Sequence, residues 1–306
     1  MKKLFLLPVL YFLLVFSAYA QNRTDVLALL GHKMGDIRNN IPVNEAISEI
    51  CSTENYAIIE EQLLQYTKDS LCRVRKQAYR YLALTALNSS DLFVQQKVVN
   101  MLLASCYDSE AIVVGKSIHF LKLFPKAAFT IGAKSEIDSL LYAIRFYKND
   151  LYRLAAMVQT AGVQRILKAK LAKVSNKTEK WNIYLALART GDKYAADYLL
   201  YWVKRLPVAN DFVYDILPGM LFTKQKVLYD YLLQLVLSDA CKCTSGNPDS
   251  NRKINCAYYI IEELAYSIED FPLALNEFEE LAGELNAKSL ETVRKWYAKN
   301  KSYKIK

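Results

Sequence analysis

CRVRKQAYRYLALTALNSSDLFVQQKVVNMLLASC, residues 72–106, is the stretch whose reading decides the fold. Val74, Ala78, Tyr81, Leu82 and Thr85 recur at three- and four-residue intervals. On a helix of 3.6 residues per turn they form one stripe, while Arg73, Arg75, Lys76 and Arg80 fall mostly on another arc. Asn88-Ser89-Ser90-Asp91 then breaks the pattern, and Ser90 or Asp91 is placed to cap a new helix by accepting from its free N–H groups. The following run offers Val94, Val98, Met101, Leu102 and Ser105, and Asp108 or Ser109 opens a third with Ile112, Val113, Ser117, Phe120 and Leu121. Three helices of about fifteen residues with such short joints must lie antiparallel, each burying its stripe against its neighbours.

The rest of the chain agrees with an all-α fold. Its 306 residues include only 9 Gly and 7 Pro, and long segments lack both. Leu, Ala, Lys and Glu, which cost little to order in a helix, recur throughout, whereas strict alternation of polar and apolar residues is scarce. The 22 Tyr residues favour helices less, but apolar spacing overrides that mild penalty. A second cluster predicts helices over Trp181–Arg189, Asp192–Arg205, a short one over Asp211–Leu217 stopped by Pro218-Gly219, and Thr223–Leu237. Within it, Lys193–Leu200 matches Lys226–Leu233 at five of eight positions, at an offset of 33 residues. That offset is the length of two helices with their turns, the period a stack of helical pairs requires.

Residues 24–67 are expected to form an N-terminal helical cap, with Pro42 opening one helix and Ser52 or Thr53 capping the next. The stretch 134–175 reads as helices broken near Asn149-Asp150 and Gly162. Residues 240–255 are a polar insertion, followed by helices over 256–269, after Pro272 to about 284, and over 289–300, with Trp296 and Tyr297 covering the end of the core and a Lys-rich tail that frays.

The segment Asp69–Leu123 resembles HEAT-repeat proteins. Their pattern of a branched apolar residue, Arg, then Ala and Leu on the helix interior stands here as Val74-Arg75, Ala78 and Leu82, and more loosely as Val94-Gln95, Val98 and Leu102. The likeness extends more loosely over residues 178–238 and is shared in part with armadillo-like stacks. The tetratricopeptide pattern is absent, as is the Pro that many HEAT units carry in their first helix. The resemblance implies a right-handed α-α superhelix of HEAT-like helical pairs over residues 21–239, continued by the 240–306 segment as a C-terminal cap. It also implies a role in protein binding or scaffolding.

The N-terminus reads as a removable leader. Lys2 and Lys3 precede an apolar run, Leu4–Val15, interrupted by Pro8 and Tyr11, and Ala18-Tyr19-Ala20 supplies the small residues of a cleavage site before Gln21. The run is shorter than the roughly 20 residues a membrane crossing needs. The expectation is therefore a secreted or periplasmic protein that does not span a membrane once residues 1–20 are removed. The mature chain would have 286 residues, and loss of Lys2 and Lys3 lowers the formal charge from +9 to +7. This moderate excess suits acidic proteins or envelope polysaccharides, and is too small to point to nucleic acid.

An exported chain can keep disulfides. Six Cys allow fifteen complete pairings, but antiparallel packing would place Cys72 and Cys106 at one end of a hairpin, and Cys243 with Cys256 would pin the intervening loop. Zinc on Cys241, Cys243 and Cys256 lacks an evident fourth ligand, since the only histidines are His32 and His119. No metal or cofactor is expected.

Catalytic signals are thin. His119 lies in an apolar helix, no nucleophile elbow or phosphate loop is present, and Glu262-Glu263 and Glu279-Glu280 read as solvated faces. The runner-up function is nonetheless an all-helical enzyme acting on glycans or the cell envelope, which would need an acid and a base across a cleft. The favoured function is non-catalytic binding or scaffolding of another envelope or extracellular macromolecule, a protein first. Tyr194, Tyr198, Tyr201, Trp202 and Arg205 crowd one helix, too many for one buried stripe, and exposed Tyr, Trp and Arg are the usual anchors of interfaces. The basic arc of Arg73, Lys76 and Arg80 is the second candidate surface.

Overall fold

The computed structural model describes residues 23–42, 50–52, 56–244, 253–277, 281–283 and 285–306. The leader, the helix expected after Pro42, the Thr53 cap, the tip of the polar insertion and Glu279-Glu280 lie outside these residues. Among the described residues there are fourteen α-helices and one two-stranded sheet, so the chain is all-α. It gathers into two compact units that divide between Gly162 and Val163, which places the 239/240 boundary read from the sequence inside the second unit.

The first unit holds α1 (residues 23–38), α2 (Tyr56–Tyr66), α3 (Cys72–Asn88), α4 (Leu92–Ser105), α5 (Ala111–Leu121), α6 (Ile131–Ala143) and α7 (Lys148–Val158). The deciding stretch folds as its stripe dictates: Val74, Ala78, Tyr81, Leu82 and Thr85 are all buried, and the buried Thr85 hydroxyl donates to the Tyr81 carbonyl. Asp91 ends the break by accepting from the Phe93 N–H at 2.8 Å. Asp108 acts one step earlier than expected. Glu110 precedes α5, and Asp108 accepts from the Glu110 N–H at 2.9 Å. Ile112, counted in the α5 stripe, is half exposed, while Val113, Ser117, Phe120 and Leu121 are buried. The helices form two layers, α3 packing on α5 and α5 on α7 in one, α4 on α6 in the other, with α3, α4 and α5 also in contact as sequence neighbours. Asn149-Asp150 belongs to the first turn of α7, and the break lies just before it at Tyr147, whose φ is 54°.

Side chains latch one pair to the next. Arg75, in the first turn of α3, forks onto Asp108 beyond α4, with Nε–Oδ2 and Nη2–Oδ1 both 2.7 Å. The two-pronged geometry is one that Arg alone supplies.

The second unit holds α8 (Val163–Leu171), α9 (Lys177–Arg189), α10 (Lys193–Val203), α11 (Leu217–Thr223), α12 (Lys226–Val236), α13 (Ala257–Ser267) and α14 (Ala287–Lys299). It is layered in the same way, with α9, α11 and α13 in contact in turn and α10, α12 and α14 in contact in turn. The internal match proves to be structural. Lys193 pairs with Asp197 and Lys226 with Asp230, each one turn apart, and Ala195, Ala196, Leu199 and Val203 are buried on α10 as Leu228, Tyr229, Leu232 and Val236 are on α12.

Three sequence expectations are corrected here. Pro218-Gly219 does not end a helix: helical backbone runs unbroken over 210–223, and a π-helical turn, Phe212–Ile216, lies immediately before the Pro-Gly pair at the start of α11, where its wider winding makes room for the proline ring. The described residues between Pro272 and Gly283 form no helix, only a bridge between Leu275 and Leu281. The Lys-rich tail is pinned: Ile305 bridges Ile268, and the Tyr303 hydroxyl donates to Asp230 Oδ1 at 2.8 Å.

The polar insertion begins and ends as a hairpin, β1 (Lys242–Thr244) antiparallel to β2 (Lys253–Asn255), with Cys243 opposite Ile254. Cys243 and Cys256 are disulfide-bonded, with Cα atoms 5.0 Å apart. Asn210 clasps the hairpin from the start of the helical run that leads into α11, accepting from the Thr244 N–H at 2.8 Å and donating to its hydroxyl at 3.1 Å.

Candidate functional site

The aromatic residues singled out on α10 are brought together, and mostly at the surface. Ala195, Ala196, Leu199 and Val203 occupy the stripe that packs on α9 and α12, so Tyr194, Tyr198, Tyr201 and Trp202 are displaced from it. Tyr194 is 71 % exposed, Tyr201 52 % and Trp202 45 %, an unusual concentration of large rings on one helix face. Tyr198 is half-buried because its ring lies flat on Tyr184 of α9, with centroids 3.7 Å apart and planes 17° off parallel. Trp202 meets Tyr198 edge-on at 6.2 Å and Tyr201 edge-on at 5.6 Å. Arg205 folds back over the far end: its guanidinium carbon is 3.4 Å from the centroid of the Tyr201 ring, and its Nη1 donates to the Tyr201 carbonyl at 2.6 Å. Interlocked in this way, the rings hold fixed orientations and lose little freedom on meeting a partner.

Tyr184 was not singled out from the sequence, although it supports the patch. It sits on the neighbouring helix of the antiparallel pair, and a tyrosine amid the apolar run Ile183–Ala188 reads as core. Burial, then the neighbouring Tyr194 and Tyr198, push its phenol above the usual value.

The basic arc divides. Arg73 turns toward α1, its Nη2 donating to the Arg38 carbonyl at 2.5 Å, and Arg38 pairs with Asp69. Lys76 and Arg80 face the other way, into a groove between α3 and α5 whose remaining walls are Gln77, Ile112, Gly115, Lys116, His119 and Tyr147. The sequence reading takes His119 only as part of an apolar helix, whereas it is exposed, and passes over Lys116, because α3 and α5 are two helices apart in the chain. The signal was their three-residue spacing on α5, off the buried stripe.

Of the two disulfides considered, only Cys243–Cys256 is formed. Cys72 and Cys106 are free thiols. Cys106 is turned inward along its own helix, Sγ 3.3 Å from the Leu102 carbonyl, while Cys72 stays partly exposed at the start of α3. Burial pushes the Cys106 thiol up to about 12, which leaves it uncharged. Cys241 is also a free thiol, beside the bonded pair in sequence.

Among the described residues no group of three or more His, Cys, Asp or Glu is placed to hold a metal ion, and no helix is long and apolar enough to cross a membrane. A further cavity of about 500 Å³ lies in the second unit, lined by Ile254, Tyr258, Tyr259, Glu262 and the residues 285–287. Comparison with protein-family models, with curated proteins and with solved structures finds no match.

Proposed function

We propose that the chain is an exported, HEAT-like helical-repeat protein that binds another extracytoplasmic protein through the aromatic face of α10. The observation that carries the reading is the exposure of Tyr194, Tyr201 and Trp202 side by side, with Arg205 stacked on Tyr201. Rings of this kind offer a large apolar area with few rotatable bonds, and Trp, Tyr and Arg supply most of the energy at protein interfaces. Export is supported by the leader-like residues 1–20 and by the Cys243–Cys256 disulfide, which persists in an oxidising compartment. A repeat architecture is supported by the duplicated Lys–Asp pairs and burial pattern of α10 and α12.

A photo-crosslinking residue placed at Tyr201 tests the proposal, in extracts of the cell envelope, beside the same residue placed at the exposed Ile131. One discrete protein adduct at Tyr201, absent at Ile131 and lost on Trp202→Ala, is expected. Adducts of equal pattern at both positions would refute it.

A second reading, action on glycans, is favoured by the Tyr258, Tyr259 and Glu262 cavity, where a carboxylate stands beside rings that suit a sugar face. Release of reducing ends from envelope polysaccharide, abolished by Glu262→Gln, would establish it.

A further inference from the structure

The groove between α3 and α5 is built from one sign of charge. Lys76 and Arg80 stand one turn apart on α3, Lys116 and His119 line the facing side on α5, and the whole space measures about 430 Å³. Among the described residues neither Lys76 nor Lys116 is ion-paired to a carboxylate. Asp150, whose charge is felt at His119, already serves Lys122, with Nζ–Oδ1 2.7 Å. Desolvation, then the charges of Arg80 and Lys76, draw the Lys116 ammonium below its ordinary value. Desolvation, then Lys116 and Lys122, lower the His119 imidazole against the opposing pull of Asp150. Lys76 and Lys116 repel each other across the groove, and the ring of Phe120, 4.8 Å from the Lys116 ammonium, offsets that only in part.

The end wall is equally particular. Tyr147 carries a φ of 54°, a left-handed conformation that residues with a side chain rarely adopt. Its ring rests on the bare backbone of Gly115, which is the position in α5 where any β-carbon would collide with it. A left-handed residue, a glycine on which its ring rests, and cations from two helices all meet at one groove open enough to admit a small anion.

We propose that this groove binds a phosphate-type oxyanion, held by Lys76, Arg80 and Lys116. Two ammonium groups on opposite walls act as movable point charges beside the Arg80 guanidinium, a cationic set matched to a tetrahedral group with several acceptor oxygens. The same group is presented by a free phosphate and by the headgroup of a phosphatidic-acid membrane. The site lies in the first unit and does not depend on the α10 reading.

Thermal unfolding of the full chain in rising inorganic phosphate, against chloride at matched ionic strength, is the first arm. Flotation with phosphatidylcholine vesicles with and without phosphatidic acid is the second. Both are repeated with Lys76→Gln/Lys116→Gln and with the charge-matched control Lys177→Gln/Lys180→Gln on α9. A saturable upward shift in phosphate, weakened at least tenfold in the groove variant only, assigns the site to free phosphate. Flotation that depends on phosphatidic acid and is lost only in the groove variant, without a phosphate response, assigns it to a lipid headgroup. Without phosphate the groove variant should unfold no earlier than the wild type, because it relieves repulsion, so a lost response is not a lost fold. No response in either arm, or an equal one in both variants, overturns the proposal.

Discussion

The phenol ring of Tyr147 occupies the space that a side chain at Gly115 would need, its Cε2 only 2.5 Å from the position of a β-carbon there. Gly115 lies inside α5, where alanine would ordinarily be preferred by about 1 kcal/mol. The ring reverses that preference. Gly115→Ala should destabilise the protein by about 1–2 kcal/mol in urea unfolding, as overpacking does. Tyr147→Gly removes both the ring and the left-handed strain, so Gly115→Ala made in that background should stabilise. The same cost in both backgrounds would show that the ring is not what excludes the methyl group.

Acid should weaken the chain through its latches. Burial alone would raise the carboxyl of Asp108, but its hydrogen bonds from Arg75 and the Glu110 N–H, with the charge of Arg75, hold it below the usual range. Asp192 is lowered in the same way: burial opposes, while Lys168 and the N–H groups of Ala195 and Tyr194 prevail. A carboxylate held low in the fold contributes fully above the unfolded value of about 4, and that contribution vanishes as pH falls through the lowered value. Arg75→Ala should therefore cost about 1–3 kcal/mol at neutral pH and progressively less as the pH drops below about 4. Denaturant curves at two pH values suffice, and a deficit independent of pH would sink the assignment.

Thiol counting discriminates the cysteine arrangement. The chain has six Cys, and Cys51, Cys72, Cys106 and Cys241 are free. Titration of the unreduced, denatured protein should find four thiols, and two would mean that a second disulfide forms among Cys51, Cys72, Cys106 and Cys241. Cys243→Ala/Cys256→Ala should lower stability by about 2–3 kcal/mol, the entropy of a short closed loop. An unchanged melting temperature would assign the bridge no part in stability.

The C-terminal tail should matter more than its composition implies. Besides Tyr303 and Ile305, the Lys306 N–H donates to the Ser267 carbonyl at 2.9 Å, and the Glu269 N–H to that of Lys304 at 3.0 Å. Ending the chain at Asn300 should cost about 2–4 kcal/mol, and Tyr303→Phe about 1 kcal/mol, in urea unfolding. A truncated chain as stable as the full one would show the tail to be ornamental.

The contrast between the α3–α5 region and the tail shows what a sequence discloses. Val74, Ala78, Tyr81 and Leu82 declare their helix and its buried face because both follow from spacing over one or two turns. The paired Lys–Asp steps of α10 and α12 were legible for the same reason. Tyr303 reaching Asp230 spans 73 residues, and no local pattern announces it. The candidate surfaces divide likewise. Too many rings on α10 for one stripe foretold that some would be exposed, but that these are Tyr194, Tyr201 and Trp202 follows only once α9 and α12 are in place. Lys76 and Arg80 needed α5 laid beside α3 before they belonged to a groove, and Arg73, adjacent in sequence, went elsewhere. Pro218 misled because the π-helical turn before it lets helical backbone continue through a residue that ordinarily breaks it.

The two-layer packing has a kinetic consequence. Within each unit the helices touch neighbours one or two places along the chain, so apart from the closure of the C-terminal segment onto α12 the polypeptide closes short loops as it folds, which favours rapid folding. A chain emerging N-terminus first would supply each new helix with a surface already in place. Growth of this kind leaves an apolar edge open only at the advancing end, and the interval in which wrong partners could seize it is brief.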